Sequence, residues 1–364
     1  MLDCPGHMNY ITNMIRGATQ ADVACLVISA RPGEFEAGFE KSGGTKEHLL
    51  IAKILGAQRF VFVINKMDLV GWAQQTFLDI KAKVESYIKE LPFEFDMNDF
   101  FWVPVSGLMN LNIRERVGEQ LCPWYKGHSL IDQIDAMDPL FRKMVPVLRM
   151  PIFDTLQTSQ QGLNVFVKVE TGIVKQYMEC MLVPSYQIVK ISQIRDHNDK
   201  SVFYAKPGDN VKLTIKDAEE SWFKNGFVLA GLQYWPFVTI FFVAEVQLLQ
   251  FTQDVCFTDF FSCIIHVHTA TEQVEVQKVF SLPDEQGNRR RLKELKANKR
   301  GIVIFKSKNP MCLERSRNVE KFGTFLLRTS EQTIGIGWVK MIKPLNQKTV
   351  ERNLFFEQKG VDEG

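Results

Sequence analysis

The sequence predicts an α/β segment followed by an all-β half long enough for two barrels. Three observations carry this. Up to about Val105, continuous apolar runs alternate with stretches of helical period. Beyond about residue 145 that period fades, and short β-rich runs appear between Gly, Pro and Asn turns. The length, 364 residues, exceeds one ordinary compact domain and suits two or three.

The elements follow in order. Ala24–Ile28 is a short apolar run, expected as a strand buried on both faces. A helix is expected from Thr45 to Leu55, with Gly56 as its C-cap. Arg59–Asn65 is a second buried strand. From residue 73 to 90, Phe77, Ile80, Val84 and Ile88 recur at helical spacing. Phe101–Val105 is a third strand. Strand, helix, strand, helix, strand implies a parallel sheet. In the second half, strands are expected at Asn164–Val169, Val202–Ala205, Lys212–Ile215, Phe227–Ala230, Phe241–Leu249, Ile264–His268 and Val274–Phe280, with a break at Gly231–Pro236. The domain limits read from this pattern are 1–142, 143–235 and 236–345, with 346–364 as a polar tail.

Composition excludes several classes. A formal net charge of +2 gives no global field for nucleic acid or membrane. The seven cysteines form no CxxC pair and no metal-ligand spacing, as expected of reduced thiols. No apolar run reaches the ~18 residues of a membrane span, and the first residues lack the basic start and apolar core of a signal peptide. The expectation is a cytoplasmic protein with no membrane partner.

Chemistry concentrates at the ends of the strand-like runs, where parallel α/β sheets bind ligands. Asn65-Lys66-Met67-Asp68 suits guanine: the Asp68 carboxylate can accept from both N1–H and the exocyclic amine, a donor pair adenine lacks. Asn65 can tie neighbouring loops, and the Lys66 stem can cover the base. Asp3-Cys4-Pro5-Gly6-His7 is a DxxG turn. Asp3 can hold a Mg²⁺-bound water, the Gly6 amide can approach a γ-phosphate because no Cβ intervenes, and His7 can orient an attacking water. In Val105-Ser106-Gly107-Leu108, a backbone amide can meet the guanine carbonyl. Alone, each segment also reads as an ordinary turn. Their order, each after a strand-like run, points to a GTPase.

The segment Asp3–Ala37 resembles the second half of a translational GTPase domain. Gly33–Phe39, Thr45-Lys46-Glu47-His48 and Cys122-Pro123-Trp124-Tyr125 resemble the eukaryotic class II release factors. Pro207–Val211 and Gly226–Leu229 resemble their second domain, and Ile265–Ala270 and Thr333–Gly337 their third. The resemblance spans nearly the whole chain. It implies a GTPase domain with two β-barrels, GTP/GDP and Mg²⁺ as ligands, and the ribosome and a class I release factor as partners. It also implies His7 as the catalytic residue, Asp3, Gly6, Asn65, Lys66, Asp68, Ser106 and Gly107 around the nucleotide, and Gly323, Phe325 and Arg328 at the partner.

Two branches stay open beside termination: the ribosome-rescue GTPase that pairs with a Pelota-type factor, and the elongation factor that delivers aminoacyl-tRNA. The spacing in Asn65–Trp72 suits rescue, and the His-x-His-Thr run at His266 favours termination. A third reading is a non-enzymatic adaptor.

Two departures from the family pattern stand out. No GxxxxGK[ST] phosphate loop occurs, and only Met1 and Leu2 precede Asp3. The expectation is an N-terminally incomplete GTPase domain, doubtful in hydrolysis by itself, with exposed strand edges. The stretch Gly323–Thr329 has lost two charges relative to the family and keeps Arg328.

Outside these motifs, His266 and His268 are placed on one strand face as packing or polar-network residues. The basic run Arg289-Arg290-Arg291, with Lys293, Lys296, Lys299 and Arg300, reads as a solvated face or a contact with ribosomal RNA phosphate.

Overall fold

The computed structural model describes residues 2–4, 11–39, 44–91, 93, 95–138, 140, 142, 145–158, 162–249, 256–330 and 332–345, the side chains at 12, 13 and 16 excepted. Gly6, His7 and the 346–364 tail lie outside the described residues. The chain divides into two compact units, Met1–Phe141 and Arg142–Gly364.

The first unit runs α1 (Ile11–Gln20), β1 (Val23–Ser29), α2 (Glu34–Phe39), α3 (Gly44–Leu55), β2 (Arg59–Asn65), α4 (Gln74–Glu90), β3 (Phe100–Pro104) and α5 (Leu130–Asp135). The strands form a parallel sheet in the order β1-β2-β3, with Val23 opposite Arg59 and Phe60 opposite Phe100. The continuous apolar run Phe60–Ile64 fills the centre of the sheet and is fully buried. Helix α4 buries the expected stripe of Phe77, Ile80, Val84 and Ile88, with Tyr87 added. Helix α3 ends where Gly56, at φ 123°, turns its amide back to the carbonyls of Ala52 and Lys53. Strand β1 differs from expectation: Cys25 and Val27 are exposed. A period-free apolar run promises two covered faces, but no described element covers this one.

The second unit holds both barrels. The first comprises β4 (Arg149–Thr158), β5 (Gly162–Lys168), β6 (Val174–Lys175), β7 (Glu179–Val183), β8 (Gln187–Arg195), β9 (Ser201–Val202), β10 (Tyr204–Ala205), β11 (Asn210–Ile215) and β12 (Val228–Ala230). Its sheet runs β11-β5-β4-β12-β7-β8, and β11 pairs with β8 to close the ring. Strand β9 extends β8, while β6 and β10 form a separate two-stranded ribbon. The expected strand Val202–Ala205 is therefore two, split at Phe203, each half with its own partner.

The second barrel comprises β13 (Phe237–Leu248), β14 (Ser262–Val267), β15 (Ala270–Phe280), β16 (Arg291–Leu292), β17 (Arg300–Leu313), α6 (Glu320–Gly323), β18 (Thr324–Arg328) and β19 (Thr333–Lys343). The ring β14-β18-β19-β13-β17-β15 closes through β14–β15. Period-2 burial along β13 sends Phe242, Ala244, Val246 and Leu248 inward, where they meet Phe305, Phe325 and Val339. Gly231–Pro236 lies between β12 and β13.

The barrels share a small apolar cluster: Val183 and Val228 of the first pack with Val238, Cys312 and Phe322 of the second. Beside it Arg149 of β4 makes a buried ion pair with Glu314 at 2.6 Å. The same guanidinium donates to the Leu148 and Tyr234 carbonyls at 2.9 and 2.8 Å. Lys321 of α6 reaches Glu170 at 3.0 Å.

Candidate guanine-nucleotide site

The site forms where β2 and β3 end side by side. The Val105 amide donates to the Ile64 carbonyl at 2.8 Å and the Met67 amide to the Val105 carbonyl at 3.1 Å, which fastens the two loops together. Asn65 is the last residue of β2. Its Oδ1 accepts from the Lys66 amide at 2.7 Å and the Gly107 amide at 2.9 Å. This side chain therefore bridges the loops, as its position in the tetrad requires. Lys66 takes a left-handed backbone, φ 65° and ψ 32°. The 3₁₀ turn Met67–Val70 follows and presents Asp68 toward the β3 loop. The Ser106 hydroxyl, fully buried, donates to Asp68 Oδ1 at 2.5 Å and fixes the carboxylate.

Lys66 has a partner the sequence reading missed. Its Nζ lies 2.6 Å from Glu34 Oε2. Glu34 also accepts from Ser29 Oγ at 2.7 Å and from Arg31 at 3.1 Å. The Lys66 ammonium and the Ser29 hydroxyl hold the Glu34 carboxyl down to about 2. The available signal was an acid in the first turn of a helix just past a strand end, but no local spacing links residue 34 to residue 66.

The structure thus brings together Asn65, Lys66, Asp68, Ser106 and Gly107. Asp3 is an exposed carboxylate ahead of α1. No group of three or more His, Cys, Asp or Glu able to hold a metal occurs among the described residues.

The three residues expected at the partner lie in and around β18. Gly323 stands where a Cβ would fall 2.3 Å from the Ser316 backbone nitrogen, so glycine is sterically required. Phe325 is fully buried among Phe242 and Phe305, with ring centroids 5.9 and 6.1 Å away. Arg328 is nearly buried; it donates to Thr333 Oγ1 at 2.8 Å and lines a cavity of about 570 Å³ with Glu272, Lys308 and Asn309. Phe325 is thus a core residue of the barrel rather than a surface one.

His266 and His268 are both buried. His266 Nδ1 shares a hydrogen bond with Thr271 Oγ1 at 3.0 Å. His268 stacks on Phe322 at 4.7 Å and its Nε2 donates to the Cys312 carbonyl at 3.0 Å. Their alternation on one strand does not hold: β14 ends at Val267, and His268 sits at φ 41° in the two-residue turn to β15. The residues of the basic run are exposed, on β16 and its flanking loops and at the start of β17. Arg291 pairs with Asp259 at 2.6 Å and Lys296 with Glu294 at 3.1 Å.

Residues 1–157 match the family model for the elongation factor Tu GTP binding domain, and residues 242–340 the model described as GTP-eEF1A C-terminal domain-like. The elongation factor SelB of Methanococcus maripaludis, solved with the GTP analogue GppNHp, superposes with a TM-score of 0.69 at 18% identity, over 96% of this chain and 71% of that one. The fold, a GTP-binding domain with two six-stranded barrels, is therefore that of the elongation-factor-Tu class of translational GTPases.

Within the class, the eukaryotic peptide chain release factor GTP-binding subunit of Schizosaccharomyces pombe is 33% identical over 95% of this chain and 52% of its own length. The subunit of the same name from Kluyveromyces lactis is 34% identical over 95% and 49%. The crystal structure of Sup35 complexed with GMPPNP is 32% identical, with a TM-score of 0.50 over 90% of this chain and 80% of that one. The chain belongs to the family of eukaryotic peptide chain release factor GTP-binding subunits. It spans about half the length of the curated relatives it matches.

Proposed function

We propose that this chain serves translation termination: it binds guanine nucleotide, acts with a class I release factor on the ribosome, and takes part in hydrolysis of GTP to GDP and phosphate. The observation that carries the reading is the Asn65–Asp68 tetrad locked to Ser106–Gly107. Asp68, oriented by the Ser106 hydroxyl, would accept from guanine N1–H and the exocyclic amine. The Gly107 amide and its neighbours would face the guanine carbonyl, and the Lys66 stem, held at its tip by Glu34, would lie along the base. Hydrogen bonds to a charged acceptor are worth about 1.5–3 kcal/mol each, enough to discriminate against adenine.

At the phosphate end, Asp3 would contact Mg²⁺ through water, Gly6 the γ-phosphate, and His7 the attacking water. The ion, when bound, supplies positive charge for the phosphate oxygens. The 364 residues contain no GxxxxGK[ST] loop. Partner binding is placed on the second barrel around Gly323, Phe325 and Arg328, and the basic run at Arg289–Arg291 toward ribosomal RNA. The limits 142/143 and 235/236 for the three domains and a cytoplasmic location belong to the same proposal. No helix among the described residues is long and apolar enough to cross a membrane.

The test is a competition titration with GDP and ADP. Wild-type chain should prefer GDP, and Asp68→Ala should reduce that preference by roughly tenfold or more. Equal binding of both nucleotides by the wild type would sink the guanine assignment. Capture by immobilised class I release factor, a Pelota-type factor or aminoacyl-tRNA separates termination from its two alternatives. A second reading is an adaptor whose barrels, joined by the buried Arg149–Glu314 pair, bind the partner. Equal capture with and without nucleotide is its signature.

A further inference from the structure

The β6–β10 ribbon on the first barrel presents an outer face that the functions above leave unused. Its two strands pair Tyr204 with Lys175 and Ala205 with Val174. Val174 and Ala205 point into the barrel and are 0% and 1% exposed. By the period-2 rule their neighbours point out. Lys175, Tyr204 and Lys206 are accordingly exposed. Phe203, at the split between β9 and β10, is 82% exposed, Tyr204 60% and Tyr177 66%. Three aromatic rings left in water within so short a stretch call for an explanation.

Tyr177 adds a second, independent observation. It occupies the third position of the turn Lys175–Met178, closed by the Met178 amide on the Lys175 carbonyl at 3.2 Å, with φ 67°. That position ordinarily takes glycine or asparagine, because a bulky side chain strains the left-handed backbone. The backbone here is held firmly: the Tyr177 amide donates to the Ile191 carbonyl at 2.8 Å and the Gln176 amide to the Phe203 carbonyl at 2.9 Å. The turn is thus fixed to β8 and to the strand opposite, while the ring stays free. A strained tyrosine on a rigid turn, projecting into solvent, makes no contribution to the core.

The charged side chains at the ribbon are basic, Lys175 on β6 and Lys206 directly after β10, and neither forms an ion pair among the described residues. The nearby Asp209 carboxylate is tied into its own turn, where it accepts from the Lys206 amide at 2.9 Å. Exposed rings with interleaved cations match the chemistry of unstacked bases on a phosphate backbone, since every base has a face to stack and stacking tolerates any sequence.

We propose that this face is a contact for single-stranded RNA, with bases stacking on Tyr177 and Tyr204 and phosphates meeting Lys175 and Lys206. None of its residues belongs to the nucleotide loops or to β18. Its test needs neither nucleotide nor release factor, so its failure leaves the termination reading untouched.

The experiment is fluorescence anisotropy of a short labelled oligoadenylate with the purified chain, over a series of salt concentrations. Tyr177→Gly relieves the left-handed strain, so it should melt no lower than wild type while binding RNA about tenfold more weakly. Tyr204→Ser should weaken binding to a similar degree. The double variant Lys175→Gln, Lys206→Gln should lower the slope of log affinity against log salt by about 1.4. The proposal fails if Tyr177→Gly binds as tightly as wild type. It also fails if affinity is lost only when Arg289, Arg290 and Arg291 become glutamine, or if the same variants abolish a dimer of the chain that has no affinity for RNA.

Discussion

His266 and His268 are kept neutral by their surroundings. Burial pushes both down to about 4; for His266 the Arg328 guanidinium adds to that effect, and for His268 the Cys312 carbonyl opposes it. In the unfolded chain a histidine titrates near 6.5. A depressed folded value means the stabilisation is complete above about 6.5 and is lost as the pH falls toward 4. At about pH 5 each histidine should withdraw about 2 kcal/mol from the second barrel. Urea unfolding at neutral and mildly acid pH checks this, and His266→Asn should show about half the wild-type pH dependence. An unchanged midpoint at acid pH would mean these side chains are reached by water. At this scale the proximity of Asn65, Asp68, Ser106 and Gly107 was legible from sequence, because each segment follows a strand-like run and neighbouring parallel strands end side by side. Glu34 was not, because its bond to Lys66 exists only once β1 and β2 lie side by side. The turn geometry of His268 was hidden inside a run that reads as strand.

Among the elements, β19 shows how a strand can depend on what it lacks. A Cβ on Gly337 would fall 2.2 Å from the Phe325 ring, so the glycine makes room for the aromatic that fills the barrel. Gly337→Ala should therefore destabilise the second unit by about 1–3 kcal/mol through overpacking. Combining it with Phe325→Leu, which vacates the space, should recover part of the loss, and additive losses in thermal melts would contradict the steric account. Long periodic elements such as α4 and uniformly apolar ones such as β2 were visible in the sequence nearly to their ends. The two-residue strands β6, β9, β10 and β16 were not, since two residues carry no period. Strand β1 reads as doubly covered because an apolar run records only its own hydrophobicity, and coverage depends on what else packs there.

At the scale of the second unit, the barrels are joined by the Arg149–Glu314 pair and the cluster around Phe322. Both charges are buried, so removing one partner leaves the other unsolvated, at a cost of about 3–5 kcal/mol. Glu314→Ala should separate one calorimetric transition into two, with each barrel still folded. A single transition at the wild-type temperature would show that the apolar cluster alone couples them. The sequence announced two barrels, but the pairing of residues 149 and 314 between them left no local trace. The order of strands has one more consequence. In the first barrel β12, the last strand made, lies between β4 and β7, and in the second β19 lies between β13 and β18. Each ring is thus sealed by the strand that leaves the ribosome last. While this chain is being synthesised, neither barrel can close early: β4 and β13 emerge first and must wait with one edge unpaired, in the custody of whatever shields a nascent chain, until the final strand arrives.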